Sequence, residues 1–293
     1  MEEVIQKAAV LTEALPYIRE FEGKTVVIKY GGAAMLDPVL RGSTAEDIVL
    51  MKYVGMNPVV VHGGGPAINR TLNRLGIKSV FNAQGLRITD DATIEVVEMV
   101  LAGSVNKDIV RLINMAGGDA VGLCGKDGNL LHARRIETED GSDIGHVGRI
   151  VHVRTKVIEV LCHAGMIPVI APIATDPQGG AWNINADTAA GEIAAALQAE
   201  KLVFLTDTPG LLQDKDRPES LIHQLKSEDV ERLKREGVIA GGMVPKIEAC
   251  LKALDYGVRK THIIDGRVSH SLLLEIFTKK GLGTLVSHGR TGS

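Results

Sequence analysis

The chain has 293 residues, 45% of them hydrophobic, enough to bury one large core or two modest lobes. Thirty-three lysines and arginines against thirty-six aspartates and glutamates leave a formal charge of −3, which supplies no global field for nucleic acid or a membrane surface. Glycine is abundant at 33 residues and aromatics make up only 3%, a composition that suits an α/β protein with many tight strand-to-helix turns.

Residues 3–20 read as an amphipathic helix. Val4, Ala8, Leu11, Leu15 and Ile18 recur at spacings of four and three, and Pro16 is expected to kink the pattern. Short apolar runs then alternate with helical patterns. Strands are predicted at 25–29, 58–62, 120–124, 167–172, 201–206 and 261–264, and helices near 44–55, 66–75, 92–115, 155–164, 188–199, 227–236, 245–256 and 270–279. Continuous apolar strands such as Val59-Val60-Val61 are what a sheet covered by helices on both faces requires. Right-handed βαβ units in a mainly parallel sheet are therefore expected. Residues 129–135 and 147–153 read as an antiparallel hairpin with a solvated Arg134-Arg135 pair, and Asp176-Pro177-Gln178-Gly179-Gly180 is turn chemistry.

Cys124, Cys162 and Cys250 show no C-x-x-C pairing, which argues against structural zinc or a disulfide framework and fits a reducing cytoplasm. Met1-Glu2-Glu3 has neither the cationic region nor the apolar block of a secretory signal, and no apolar run approaches the roughly 18 residues that span a bilayer. Gly23-Lys24-Thr25 ends like a P-loop, but Ile18 stands where the first glycine must be. No G-x-G-x-x-G follows a strand, and neither G-x-S-x-G nor H-E-x-x-H occurs, which removes the common dinucleotide, hydrolase and zinc-protease readings.

Four segments carry chemistry. Val26-Val27-Ile28-Lys29-Tyr30-Gly31-Gly32 is a buried strand that ends in a lysine and two glycines, where backbone N–H groups can approach an anion. His62-Gly63-Gly64-Gly65-Pro66 repeats that design, with Pro66 in the first turn of a helix whose N-terminus favours negative charge. His62 itself reads as a packed residue. In Asn183-Ile184-Asn185-Ala186-Asp187-Thr188, strand periodicity would put Asn183, Asn185 and Asp187 on one face, and Asp187 or Thr188 would cap the next helix. In Gly241-Gly242-Met243-Val244-Pro245-Lys246, Pro245 marks the expected first helical residue and places Lys246 against the helix dipole. Gly85-Leu86-Arg87 adds an arginine able to clamp a carboxylate, and Leu205-Thr206-Asp207-Thr208-Pro209-Gly210 reads as a further strand-end turn of type II.

Two lysines, two glycine-rich strand ends and an Asn/Asn/Asp set form an inventory for handling phosphate. Phosphoryl transfer depends mainly on positioning and on neutralising charge. An acceptor carboxylate with a pKa of about 4.3 needs no general base at neutral pH, which agrees with the absence of a His or Cys constellation.

In order and spacing, these motifs resemble the amino-acid kinase family, and within it the branch that phosphorylates N-acetyl-L-glutamate; the match runs from about residue 10 to 287. The resemblance implies an open αβα sandwich with an N-terminal helix (1–20), an acetylglutamate-binding lobe (21–197) and an ATP-binding lobe (198–293). It implies that Lys29 and Lys246 stabilise the transferring group and Asp187 orients both. Gly31, Gly32, Gly63 and Gly64 would hold phosphate oxygens, and Gly64, Gly65, Arg87, Asn183 and Asn185 the acetylglutamate. Thr206, Asp207, Gly210, Gly242, Met243 and Lys246 would hold the nucleotide, with Mg2+ carried on its phosphates and no direct protein ligand. Asn82-Ala83-Gln84-Gly85 is one residue longer than the family's usual approach to the arginine.

The N-terminal helix and the C-terminal segments resemble those of arginine-inhibited members, which implies a homohexamer and an L-arginine site near Tyr17, Lys201, His262, Glu275, Gly281 and Gly283. The same resemblance leaves the PII signalling protein open as a partner. Rival readings are family members acting on carbamate, aspartate, free glutamate or UMP, and a non-catalytic arginine-sensing protein on the same fold.

Overall fold

A computed structural model describes residues 2–82, 84–138, 141–278 and 281–289, with residues 2–11 described by their backbone alone. In chain order, α1 (Glu2–Phe21) leads into β1 (Thr25–Tyr30), α2 (Pro38–Tyr53), β2 (Asn57–His62) and α3 (Gly65–Arg74). A long helical stretch follows in three parts: α4 (Asp91–Glu98), a π-helical segment over Met99–Val105, and α5 (Asn106–Met115). Next come β3 (Ala120–Cys124), β4 (Leu131–Arg135), β5 (Gly148–Val153), α6 (Lys156–His163), β6 (Ile167–Ala171), β7 (Ile173–Thr175), β8 (Ala181–Asn183) and α7 (Ala186–Ala196). The remaining elements are β9 (Lys201–Thr206), β10 (Gln224–Lys226), α8 (Val230–Arg235), α9 (Met243–Asp255), β11 (Lys260–Asp265), α10 (Ser271–Ile276) and β12 (Thr284–Ser287).

Eight strands form one sheet in the order β10-β12-β11-β9-β1-β2-β6-β3. The six predicted strands are all in it and run parallel to one another; β12 lies antiparallel to β11. Central β1 pairs with β2 from Thr25↔Asn57 to Tyr30↔His62, and with β9 from Val26↔Lys201 to Lys29↔Phe204. The carboxyl ends of β1, β2 and β9 therefore share one sheet edge, where open α/β sheets bind ligands. A second sheet, β5-β4-β7-β8, contains the expected hairpin as its antiparallel β4–β5 pair.

The apolar runs are continuous because both faces of the large sheet are covered. Val27, Val59 and Val61 pack in one cluster with Ala189, Ala190 and Ile247 of α7 and α9. Val26, Ile28 and Val60 point the other way, into a cluster with Ile48 of α2 and Ile109 of α5. Neighbouring residues of a strand alternate between the two cores.

Four expectations change. The helix read at 44–55 begins at Pro38, because the Asp37 carboxylate accepts the Val39 and Leu40 N–H groups at 2.8 and 3.0 Å; the poor helix formers Gly42-Ser43-Thr44 hid that start. The helix at 92–115 contains a π-helical insertion. β7, β8, β10 and β12 are three or four residues long, too short for a period to register. α1 passes through Pro16 as a single helix.

Asn106 opens α5 and is completely buried. Its Nδ2 donates to the Val169 carbonyl at 2.9 Å and the Leu123 carbonyl at 3.3 Å, and lies 3.1 Å from His62 Nε2, so one amide ties α5 to β2, β3 and β6. Asn106→Leu, which leaves these acceptors buried and unpaired, is expected to cost roughly 2–4 kcal/mol. Urea denaturation followed by circular dichroism measures this as a lower midpoint.

Candidate active site

Lys29 is the fifth residue of β1, and the turn after it folds its ammonium back over Gly31, where a Cβ would collide with Nζ. Gly32 adopts φ +65 and leaves room for the Asp207 carboxylate, which accepts the Ala33 N–H. The end of β2 is built alike. Gly64 caps α3 with no side chain, and a Cβ there would lie 2.5 Å from Leu101 Cδ2 in the π-helical segment. That insertion thus packs directly on the triple-glycine turn, and π-bulges of this kind frequently mark functional sites.

Asp187 stands in the first turn of α7, and the cap of that helix is Asn185, whose Oδ1 accepts the Asp187 and Thr188 N–H groups at 2.8 and 3.2 Å. This corrects the expected capping by Asp187 or Thr188. It also corrects the shared strand face: β8 stops at Asn183 and the helix starts at Ala186, so only Asn183 is in a strand. A further correction concerns α9, which starts at Met243, making Pro245 its third residue and Lys246 its fourth.

Lys29 and Lys246 converge on Asp187. Lys246 Nζ donates to Oδ2 at 2.8 Å, and Lys29 Nζ lies 3.0 Å from Oδ1, an ion pair without the direction of a hydrogen bond. The carboxylate is only 6% exposed. Burial works against its charge, but the two ammonium groups outweigh that and hold its pKa below the usual carboxylate range. Two cations around one anion leave the cluster with a net positive charge, which suits a phosphoryl group moving between two anions.

A cavity of about 670 Å³ is lined by Lys29, Gly31, Gly32, Gly63, Gly64 and Asp207. It also takes in Arg41, Arg70 and Asp108, which the sequence reading missed. Arg41 pairs with Asp108 across 67 positions of chain, a separation no local motif can register. The same triple-glycine turn borders a second cavity of about 170 Å³ that gathers Gly65, Arg87, Asn183 and Asn185.

In that smaller cavity Arg87 donates to Ser79 Oγ and stacks 4.6 Å over the Phe81 ring. It is 8% exposed, its pKa is drawn down by burial, and among the described residues it has no carboxylate partner. An arginine so placed is short of the anion it is shaped to bind. Asn183 Nδ2 donates to Thr89 Oγ1 at 3.2 Å. Gly85 adopts φ +76, while Ala83 in the lengthened segment lies outside the described residues.

Among the residues expected to hold nucleotide, Thr206 Oγ1 lies 2.8 and 3.1 Å from the Thr208 and Ile264 carbonyls, so its single proton is spent inside the turn. Gly210 has φ +149, outside the type II geometry expected, and lies against Thr284. Gly242 and Met243 form the open N-terminus of α9, and the Gly242 carbonyl accepts from Lys246 at 3.2 Å. Tyr17, Lys201, His262, Glu275, Gly281 and Gly283 all line one cavity of about 420 Å³. There Glu275 lies 3.0 Å from His262 Nε2 and 3.5 Å from Lys201 Nζ, and accepts the Leu282 N–H at 3.0 Å. Burial opposes its charge, but the His262 hydrogen bond and the nearby cations bring its pKa down to about 2.

A parallel sheet with helices on both faces, glycine turns at its carboxyl edge and two lysines on one aspartate define a phosphoryl-transfer fold. The chain belongs to the amino acid kinase family, whose model matches residues 24–265. It is 57% identical to the acetylglutamate kinase of Heliobacterium modesticaldum, over 98% of this chain and 99% of that protein. Among solved structures, N-acetylglutamate synthase from Neisseria gonorrhoeae with coenzyme A and N-acetyl-glutamate superposes with a TM-score of 0.84 at 30% identity. That match covers 97% of this chain, which spans 64% of the synthase chain. Carbamate kinase from Giardia lamblia bound to AMP-PNP shares the fold alone, at 17% identity and TM-score 0.65, over 91% of this chain and 99% of that one.

His62 is fully buried behind the triple glycine; Nδ1 donates to the Gly63 carbonyl at 2.8 Å, and Nε2 accepts from Asn106. Burial lowers its pKa to about 4. Between pH 6.5 and 4 the unfolded chain binds a proton that the folded chain refuses, so His62 makes stability fall as pH drops through that window. Buried Asp47, raised to about 6, acts with the opposite sign. The stability difference between wild type and His62→Gln is therefore expected to narrow by about 2 kcal/mol from pH 7 to pH 5. Paired urea melts at the two pH values measure it.

Proposed function

We propose that this chain transfers the γ-phosphoryl group of ATP to the side-chain carboxylate of N-acetyl-L-glutamate, giving N-acetyl-L-glutamyl 5-phosphate, the second step of arginine biosynthesis. The observation that carries the reading is the Lys29–Asp187–Lys246 constellation beside two glycine-rich strand ends. The 57% identity to a protein named acetylglutamate kinase supports the choice of acceptor.

The acceptor carboxylate is already ionised, so the chain need only orient it and neutralise the charge that builds up in transfer. Lys29 and Lys246 meet the oxygens of the migrating group, and Asp187 holds both ammonium ions in register. The N–H groups of Gly31, Gly32 and Gly64 add donors that need no reorganisation, whereas the Gly63 N–H already donates to the Tyr30 carbonyl at 3.0 Å. Arg87 takes the α-carboxylate, while Asn183 and Asn185 lie where the acetamido group would be read. Mg2+ rides on the nucleotide phosphates, consistent with its reluctance to shed water.

Trapping the acyl phosphate with hydroxylamine across N-acetyl-L-glutamate, glutamate, aspartate and carbamate tests the substrate. Turnover confined to the acetylated acceptor is expected; a preference for free glutamate overturns the reading. Lys29→Ala and Lys246→Ala should each lower kcat by about 10²–10⁴-fold with unchanged circular dichroism.

The cavity around Glu275 supports a second site for L-arginine, whose guanidinium would pair with that carboxylate. Helix α1 supplies Tyr17 to it and is the segment assigned to homohexamer assembly. Inhibition by arginine should weaken at least about tenfold when residues 1–20 are removed, given the charged hydrogen bonds at stake. Two flat titration curves would dispose of the idea.

A further inference from the structure

Helices α7 and α9 carry the two ends of the Asp187–Lys246 ion pair. One turn further on, each has a small residue on the same face: Gly191 follows Asp187 by four positions, and Ala249 follows Lys246 by three. The helices meet there. A Cβ on Gly191 would lie 3.0 Å from Ala249 Cβ, 3.0 Å from the Ala249 carbonyl oxygen and 3.2 Å from its Cα. Two of those three atoms belong to backbone and cannot swing aside as a side-chain tip can.

Nothing else at this position asks for glycine. Gly191 lies within α7 and has none of the left-handed φ that glycine uniquely supplies, and glycine in a helix interior is unfavourable relative to alanine. On the same two helices Ala190, Ala194 and Ala253 are completely buried, while Gly191 and Ala249 also border an outer cavity of about 620 Å³. A methyl group added at 191 must push α9 bodily away from α7. The ammonium of Lys246 travels with α9, and its 2.8 Å contact with Asp187 sits one turn from the wedge. Lys29, by contrast, is anchored in the central strand and does not follow.

We infer that Gly191 is a positioning residue for phosphoryl transfer: by letting α7 and α9 cross in backbone contact, it sets the distance at which Lys246 meets Asp187, and with it the spacing of the two ammonium groups. This deepens the kinase reading above and rests on it. The acceptor cavity takes no residue from α9, so acceptor binding and phosphoryl transfer respond differently to the wedge.

The test compares wild type, Gly191→Ala, Gly191→Val and Gly191→Ala/Ala249→Gly in steady-state kinetics, with thermal midpoints for all. Ala253→Gly, buried further along α9, controls for general destabilisation. Displacing a reacting group by a fraction of an ångström should lower kcat about threefold to tenfold in Gly191→Ala and further in Gly191→Val. The KM for N-acetyl-L-glutamate should stay within about twofold, because uniform binding is untouched. Ala249→Gly removes one of the three crowded atoms, so the double variant should recover part of the lost kcat. An unchanged kcat in Gly191→Ala, no recovery in the double variant, or an equal loss in Ala253→Gly at the same midpoint overturns the proposal. A crystal structure of Gly191→Ala with an unmoved Lys246–Asp187 pair does so independently, and serves if Gly191→Val does not fold. Wild type without turnover on N-acetyl-L-glutamate would instead remove the kinase reading and leave that structural measurement standing.

Discussion

One buried carboxylate between two ammonium ions constrains the rest of this molecule. Taking charges out of water is costly, and removing one partner from such a set leaves an uncompensated charge behind. Asp187 meets that cost only because β1, α7 and α9 deliver their charged groups to one point. Each element is held in place by protein contacts of its own kind. β1 has hydrogen-bonded neighbours on both sides, α7 is capped by Asn185, and α9 lies against α7 with scarcely an atom between them. Protein contacts alone hold this geometry, which is what electrostatic stabilisation of a transient charge requires.

The sheet edge organises the remaining chemistry. Because β1, β2 and β9 are parallel, their turns open on the same side, and the Gly63 N–H ties the two glycine-rich segments together by donating to the Tyr30 carbonyl. The triple-glycine turn borders both cavities, the larger with Lys29 and the smaller with Arg87. The two cavities thus meet across a few residues that have no side chains to intervene. The π-helical segment presses Leu101 onto Gly64 and stiffens that turn from behind. Proteins named for different substrates share this architecture, so the fold alone does not choose the acceptor.

Much of this was legible in the chain itself. Continuous valine and isoleucine runs marked the six parallel strands, because a strand buried on both faces has no polar alternation to confuse it. Glycine at two strand ends marked the anion-handling edge, and those two segments together with the Asn183–Thr188 and Gly241–Lys246 segments, in one order, marked the family. Elements of three or four residues escaped, since β7, β8, β10 and β12 exist through their partners rather than through any pattern of their own. The start of α2 escaped because the Asp37 cap outweighs the poor propensity of Gly42-Ser43-Thr44.

By itself, the sequence determined which residues carry charge, which turns need glycine and which runs must be buried; these are local properties, set by side-chain chemistry and by allowed backbone angles. Tertiary structure alone decided that Lys29 and Lys246, 217 positions apart (246 − 29), share one carboxylate, that Arg87 has no carboxylate partner among the described residues, and that Gly191 lies against Ala249. Those facts depend on distances between elements, which no periodicity encodes and only the packing of the two cores fixes.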